Sequence, residues 1–119
     1  MRAVALLSGL LMSAGPALAA QPMDGAWTVD LSVKPDAAYT KGMSLELKAD
    51  GTVGGNFYDS KIDAGRWKTD RGRTCVSFRT SDGAGPYQTS ACLIGSSVAG
   101  QTWAEHRNFL FNWNAVRTR

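Results

Sequence analysis

Beyond residue 20 the chain alternates apolar and polar residues with a period of two, and a helical period is hard to find. Over Ala26 to Val33, Trp27, Val29, Leu31 and Val33 alternate with Thr28, Asp30 and Ser32; over Met43 to Ala49, Met43, Leu45, Leu47 and Ala49 alternate with Ser44, Glu46 and Lys48. Successive side chains of an extended chain point to opposite faces, so these stretches read as half-buried strands. Asp50-Gly51 is the strongest hairpin signal, because glycine accepts positive φ, and it leads into Val53 to Tyr58. Turn clusters at Asp59 to Lys61, Asp70 to Arg73, Ser81 to Pro86, Gly95 to Ser97 and Ala104 to Arg107 separate five further segments. These are Ile62 to Thr69, Thr74 to Thr80, Tyr87 to Ile94, Val98 to Trp103 and Asn108 to Arg117.

Linkers this short allow only antiparallel neighbours, since a parallel crossover needs a dozen residues or more. Eight consecutive strands make an up-and-down meander, and closing it into a barrel removes the edges that would otherwise aggregate. The expected fold is therefore an all-β, eight-stranded antiparallel barrel, with a two-sheet sandwich as the alternative. The one long connection, Lys34 to Gly42, is placed to lap over a barrel mouth.

Residues 1–20 read differently: Arg2, an apolar run from Val4 to Met12, and Ala17-Leu18-Ala19 as a small-x-small site form the pattern of a signal peptide. The expected mature domain is residues 21–119, which holds every Trp, Tyr and Phe of the chain. No later apolar stretch reaches eighteen residues, so no transmembrane span is expected after leader removal. A net charge of +3 is too balanced for a dedicated nucleic-acid binder. Export, to a periplasmic or secreted location, means an oxidising compartment, in which Cys75 and Cys92 are expected to pair. Placed opposite each other, they set Val76 against Ala91, Phe78 against Thr89 and Thr80 against Tyr87, with the cystine on the polar outer face. Two cysteines and the single His106 are too few for a zinc site, so no metal and no cofactor are expected.

The first strand opens with Gly25-Ala26-Trp27 and the last ends in Trp113-Asn114-Ala115-Val116-Arg117. This resembles the calycin superfamily, the lipocalin-like and avidin-like small barrels, whose first strand carries Gly-x-Trp. In lipocalins a late Arg packs over that Trp, so the resemblance implies closed-end packing of Arg117 on Trp27. The stretch Asp50 to Ser60, DGTVGGNFYDS, is also similar to the second hairpin of avidins. The polar biotin-contacting positions of an avidin first strand fall on Val29 and Val33 here, so biotin binding is not implied.

In a meander, Lys34 to Gly42, Asp59 to Lys61, Ser81 to Pro86 and Ala104 to Arg107 share the end opposite Trp27. That rim gathers Tyr39, Tyr58, Tyr87, Trp103, Glu105, His106 and Arg107. Tyr39, Tyr58, Tyr87, Trp103 and His106 are the candidate ligand-binding residues, since rings supply apolar contact and polar tips fix orientation. Rings at this end would equally cap a filled core. Catalysis at His106 would need a nucleophile and an orienting group, and neither a nucleophile elbow nor metal-ligand spacing occurs, so no catalytic residue and no enzyme activity are expected. Arg66, Lys68, Arg71 and Arg73, with Arg79, form the one concentration of charge, which suits an acidic partner or a solvated hairpin tip. The expected function is an exported binding module for a small apolar or aromatic ligand. The alternative is a protein-interaction module, such as an inhibitor of an envelope or secreted enzyme acting through its loops.

Overall fold

The computed structural model of the chain describes residues 21–119, and the expected leader, residues 1–20, lies outside them. In chain order the strands are β1 (Gly25–Asp30), β2 (Thr40–Leu47), β3 (Thr52–Phe57), β4 (Ser60–Lys61), β5 (Asp63–Asp70), β6 (Arg73–Ser81), β7 (Pro86–Ile94), β8 (Ser97–Ala104) and β9 (Phe109–Arg117). Each long strand pairs antiparallel with the next, and β9 returns to β1, with Trp27 opposite Arg117. The eight long strands thus form a closed antiparallel barrel, and closure excludes the two-sheet sandwich. The two-residue β4 folds back on β3 at the rim.

Turn chemistry sets the register. In the β2–β3 hairpin the Gly51 N–H donates to the Lys48 carbonyl, and Gly51 sits at φ 91°, which a Cβ would make costly. The Asp50 carboxylate accepts from both the backbone N–H and the hydroxyl of Thr52, which holds it below the usual carboxylate range. Arg71 and Gly72 are both left-handed, at φ 51° and 76°, closing Asp70 onto Arg73 in the mirror-image turn that suits strand twist. Cys75 and Cys92 are disulfide-bonded across β6 and β7, and the pairs Val76–Ala91, Phe78–Thr89 and Thr80–Tyr87 follow. The pairing runs on to Ser81–Pro86, so the expected six-residue loop is shortened from both ends. In β5 a bulge between Asp63 and Arg66 adds one residue, with Ala64 left-handed at φ 53°.

Apolar inward positions fill one half of the barrel. Met23, Trp27, Val29, Met43, Leu45, Val98, Trp113 and Ala115 are all buried there or at mid-height. The Trp27 indole N–H donates to the Met23 carbonyl, so residues 21–24 fold beneath the barrel as a floor. Arg117 closes this end: its guanidinium lies 4.4 Å from the Trp27 ring and donates to the carbonyls of Pro22 and Asp24. Among the described residues no helix is long and apolar enough to cross a membrane.

Among the basic side chains, Arg79 stands apart from those of the β5–β6 hairpin. Lys68 pairs with Asp70 at 3.4 Å, while Arg79 is drawn to Asp63 at 3.0 Å. Arg79 lies on β6 beyond the bulge, several residues from the hairpin tip that carries Arg71 and Arg73.

Candidate functional site

At the end opposite Trp27 the barrel is open. A cavity of about 520 Å³ enters it, within the range of roughly 300–1,000 Å³ usual for small-molecule sites. Its apolar wall comes from the end of β1 and its loop (Leu31, Val33, Ala37, Ala38), from Phe57 on β3, and from Phe109 and Phe111 on β9. The wall follows from strand period: Phe109, Phe111 and Trp113 occupy alternate, inward positions of β9, and the first two rings lie 4.9 Å apart. Phe57 packs on Phe78 at 5.7 Å and on Trp113 at 5.3 Å, making the boundary between cavity and filled core. The long loop after β1 does lap over the mouth, anchored where the Leu31 N–H donates to the Tyr39 carbonyl.

Polar groups enter at two places. Tyr39 and Tyr58 meet through their hydroxyls, with their rings edge to face at 6.2 Å. That hydrogen bond, helped by partial burial, holds the Tyr58 phenol above its usual range. Tyr58 and Asp59 are both left-handed, at φ 53° and 65°, an uncommon conformation for non-glycine residues that presents the Tyr58 ring at the rim. Across the mouth, Tyr87 donates to the Asp82 carboxylate at 2.7 Å and accepts from Arg107 at 2.8 Å. The Tyr87 bond first, and the backbone N–H of Ala84 second, hold the Asp82 carboxyl below the usual range. The same phenol holds Arg107 more firmly protonated.

Because the folded value of Asp82 lies below the ordinary one of about 3.9, this contribution is complete above that pH and is lost as pH falls through the lowered value. Tyr87→Phe is expected to move the Asp82 titration, followed by carboxyl-carbon NMR, up toward the ordinary value. An unchanged titration would assign the shift to the Ala84 N–H alone.

Of the five residues expected to bind ligand, Tyr39, Tyr58 and Tyr87 line the cavity and Trp103 and His106 do not. Trp103 faces outward, opposite Leu110, because the inward positions of β8 are Val98, Gly100, Thr102 and Ala104. Gly100 is required there by close approach: a Cβ would lie 2.2 Å from the Trp113 ring. His106 stands in the short 3₁₀ turn Glu105–Arg107, edge-on to the Tyr87 ring at 5.1 Å, and braces that ring from behind. Thr80 and Thr102 also line the cavity although both are polar. Thr102 accepts from the Trp113 indole N–H and shares a hydrogen bond with Thr89, so its hydroxyl is satisfied without a ligand.

A second concavity, about 580 Å³ and wider open, runs along Lys61, Asp63, Arg79 and the Ser81 to Pro86 loop. Arg79 and Asp63 are already paired with each other, and an apolar molecule in so open a groove would stay largely wet, so the barrel mouth is the better candidate. Among the described residues no three His, Cys, Asp or Glu side chains converge as metal ligands would.

The fold and this mouth define the molecule as a small closed antiparallel barrel with a filled floor and an open, aromatic-walled end. No family model, no curated protein and no solved structure matches the chain.

Proposed function

We propose that the protein is an exported, calycin-like binding module that takes a small apolar or aromatic molecule into the open end of its barrel, without chemistry of its own. One observation carries this reading: a cavity of about 520 Å³ walled by Leu31, Phe57, Phe109 and Phe111, with tyrosine hydroxyls at its edge. Apolar walls provide the driving force for a ligand to leave water, and few fixed polar groups orient it. The signal-peptide pattern of residues 1–20 and the Cys75–Cys92 cystine support a periplasmic or secreted location. The Gly-x-Trp opening and the Arg117–Trp27 contact support the calycin-like assignment.

The test is titration with N-phenyl-1-naphthylamine, a neutral aromatic dye that brightens in apolar surroundings. Saturable binding is expected, with energy transfer from tryptophan. Phe111→Asp should weaken binding about tenfold or more, while Trp103→Phe, on the outer face, should leave it unchanged. Absence of saturable binding would overturn this reading and favour an inhibitor that docks through the Lys34 to Gly42 and Ser81 to Pro86 loops. Val33, 83% exposed beside the first of these loops, would suit such a contact.

A further inference from the structure

The cavity wall carries two cations, Lys34 and Arg107, and one carboxylate, Asp82, so its lining is positive by one charge. Neither cation makes an ion pair among the described residues. Both oxygens of Asp82 are engaged elsewhere, one by the Ala84 N–H and the other by the Tyr87 hydroxyl. Arg107 gives one N–H to Tyr87 and makes no other side-chain hydrogen bond among the described residues. A guanidinium has five N–H donors in a planar fork, so most of its hydrogen-bonding capacity points to no protein partner. The chain thus spends Tyr87 and Asp82 on orienting a cation at the lip of an apolar cavity rather than on neutralising it.

Resting on the reading above, we propose that the natural occupant is a singly charged carboxylate amphiphile, its head on Arg107 and its tail among Phe57, Phe109 and Phe111. The two parallel donors of a guanidinium match the two oxygens of a carboxylate, an arrangement that a lysine or a hydroxyl does not reproduce. The lining's single surplus charge favours a monoanion over a doubly charged phosphate monoester. The rim position solves the desolvation problem, because the exposed Arg107 lets the head remain partly in water while only the tail is buried. Lys34, on the loop that crosses the mouth, adds attraction without fixed geometry.

The experiment is displacement of bound N-phenyl-1-naphthylamine at neutral pH by sodium decanoate, decanol and decyl phosphate, with wild type, Arg107→Gln and Arg107→Lys. In wild type, decanoate is expected to compete roughly tenfold more tightly than decanol, the size of one charge-assisted hydrogen bond, and more tightly than decyl phosphate. The decanoate-to-decanol ratio should collapse toward one in Arg107→Gln and recover only in part in Arg107→Lys, which restores charge without the fork. Melting temperatures check that both variants fold; Arg107 lies in an exposed turn, and a variant that failed to fold would leave the other and the wild-type ratios to decide. Dye binding with equal competition by decanoate and decanol would overturn this inference and leave the binding module standing. So would a decanoate preference that survives Arg107→Gln, or a preference for decyl phosphate. No dye binding at all would remove both.

Discussion

Trp27→Ala is expected to remove about 3–5 kcal/mol of stability, the loss typical of a large ring deleted from a packed interior. Trp27 is 1% exposed and is held on three sides. Its indole N–H donates to the Met23 carbonyl, Arg117 covers one face at 4.4 Å, and it sits within the buried cluster that includes Met43, Val29 and Val98. Deleting the ring does more than leave a void. Arg117 loses the surface it rests on, and its hydrogen bonds to the Pro22 and Asp24 carbonyls then have nothing to align them. Those bonds hold residues 21–24 against the barrel floor, where Met23 is wholly buried. Domains of this size have about 5–15 kcal/mol in total, so the variant should melt at least about 12 °C lower. Arg117→Ala should cost less, since a cation–π contact is worth about 0.5–2 kcal/mol and its carbonyl partners regain water. A loss below about 1 kcal/mol for Trp27→Ala in a denaturant titration would show that the closed end is not held this way.

The sequence exposed the strands and hairpins because their signals are local. Asp50-Gly51 and Arg71-Gly72 lie where the backbone turns left-handed, and the two cysteines pin the β6–β7 register because one slip would turn Val76 and Phe78 to water. Closure was also legible, since short linkers and consecutive pairing leave β9 next to β1. The cavity wall was only half legible. Phe109 and Phe111 follow from the parity of Trp113, and the three tyrosines from their connections, but β8 misleads. Its inward positions hold Val98, Gly100, Thr102 and Ala104, with Gly100 kept small by the Trp113 ring and Thr102 accepting from its indole N–H, while its one aromatic, Trp103, faces out. Nearness to the rim turn alone therefore puts Trp103 in the cavity, whereas its parity with Ser97 and Gln101 turns it outward. Tyr87 and Arg107 could be placed at one rim, but the Asp82–Tyr87–Arg107 chain could not, because it joins the β6–β7 loop, the start of β7 and the Glu105–Arg107 turn through hydrogen bonds that no spacing in the sequence encodes. The bulge at Ala64 is of the same kind: nothing local in β5 signals the extra residue, which shifts the β6 register between Asp63 and Arg66.

Removing the disulfide, by Cys75→Ala with Cys92→Ala or by reduction, is expected to cost about 3 kcal/mol and lower the melting temperature by about 12 °C or more. The bridge spans 17 positions, and the chain-entropy model assigns roughly that value to a loop of this length. The native fold itself should survive, because the cystine lies on the outer face and the inward neighbours Val76, Phe78, Thr89 and Ala91 are unchanged. Two neighbouring pairings, Lys68 with Cys75 and Cys92 with Ala99, also continue the sheet on either side without it. The loss is therefore carried mainly by the unfolded chain, which gains conformations once the two strands are unlinked, and the refolding rate of the reduced protein should fall more than its unfolding rate rises. A melting temperature within about 3 °C of the oxidised protein would mean that hairpin pairing already restrains the unfolded ensemble as tightly as the bond does. Protein isolated from an oxidising compartment should show no alkylatable thiol before reduction and two afterwards, since the described residues contain no unpaired cysteine.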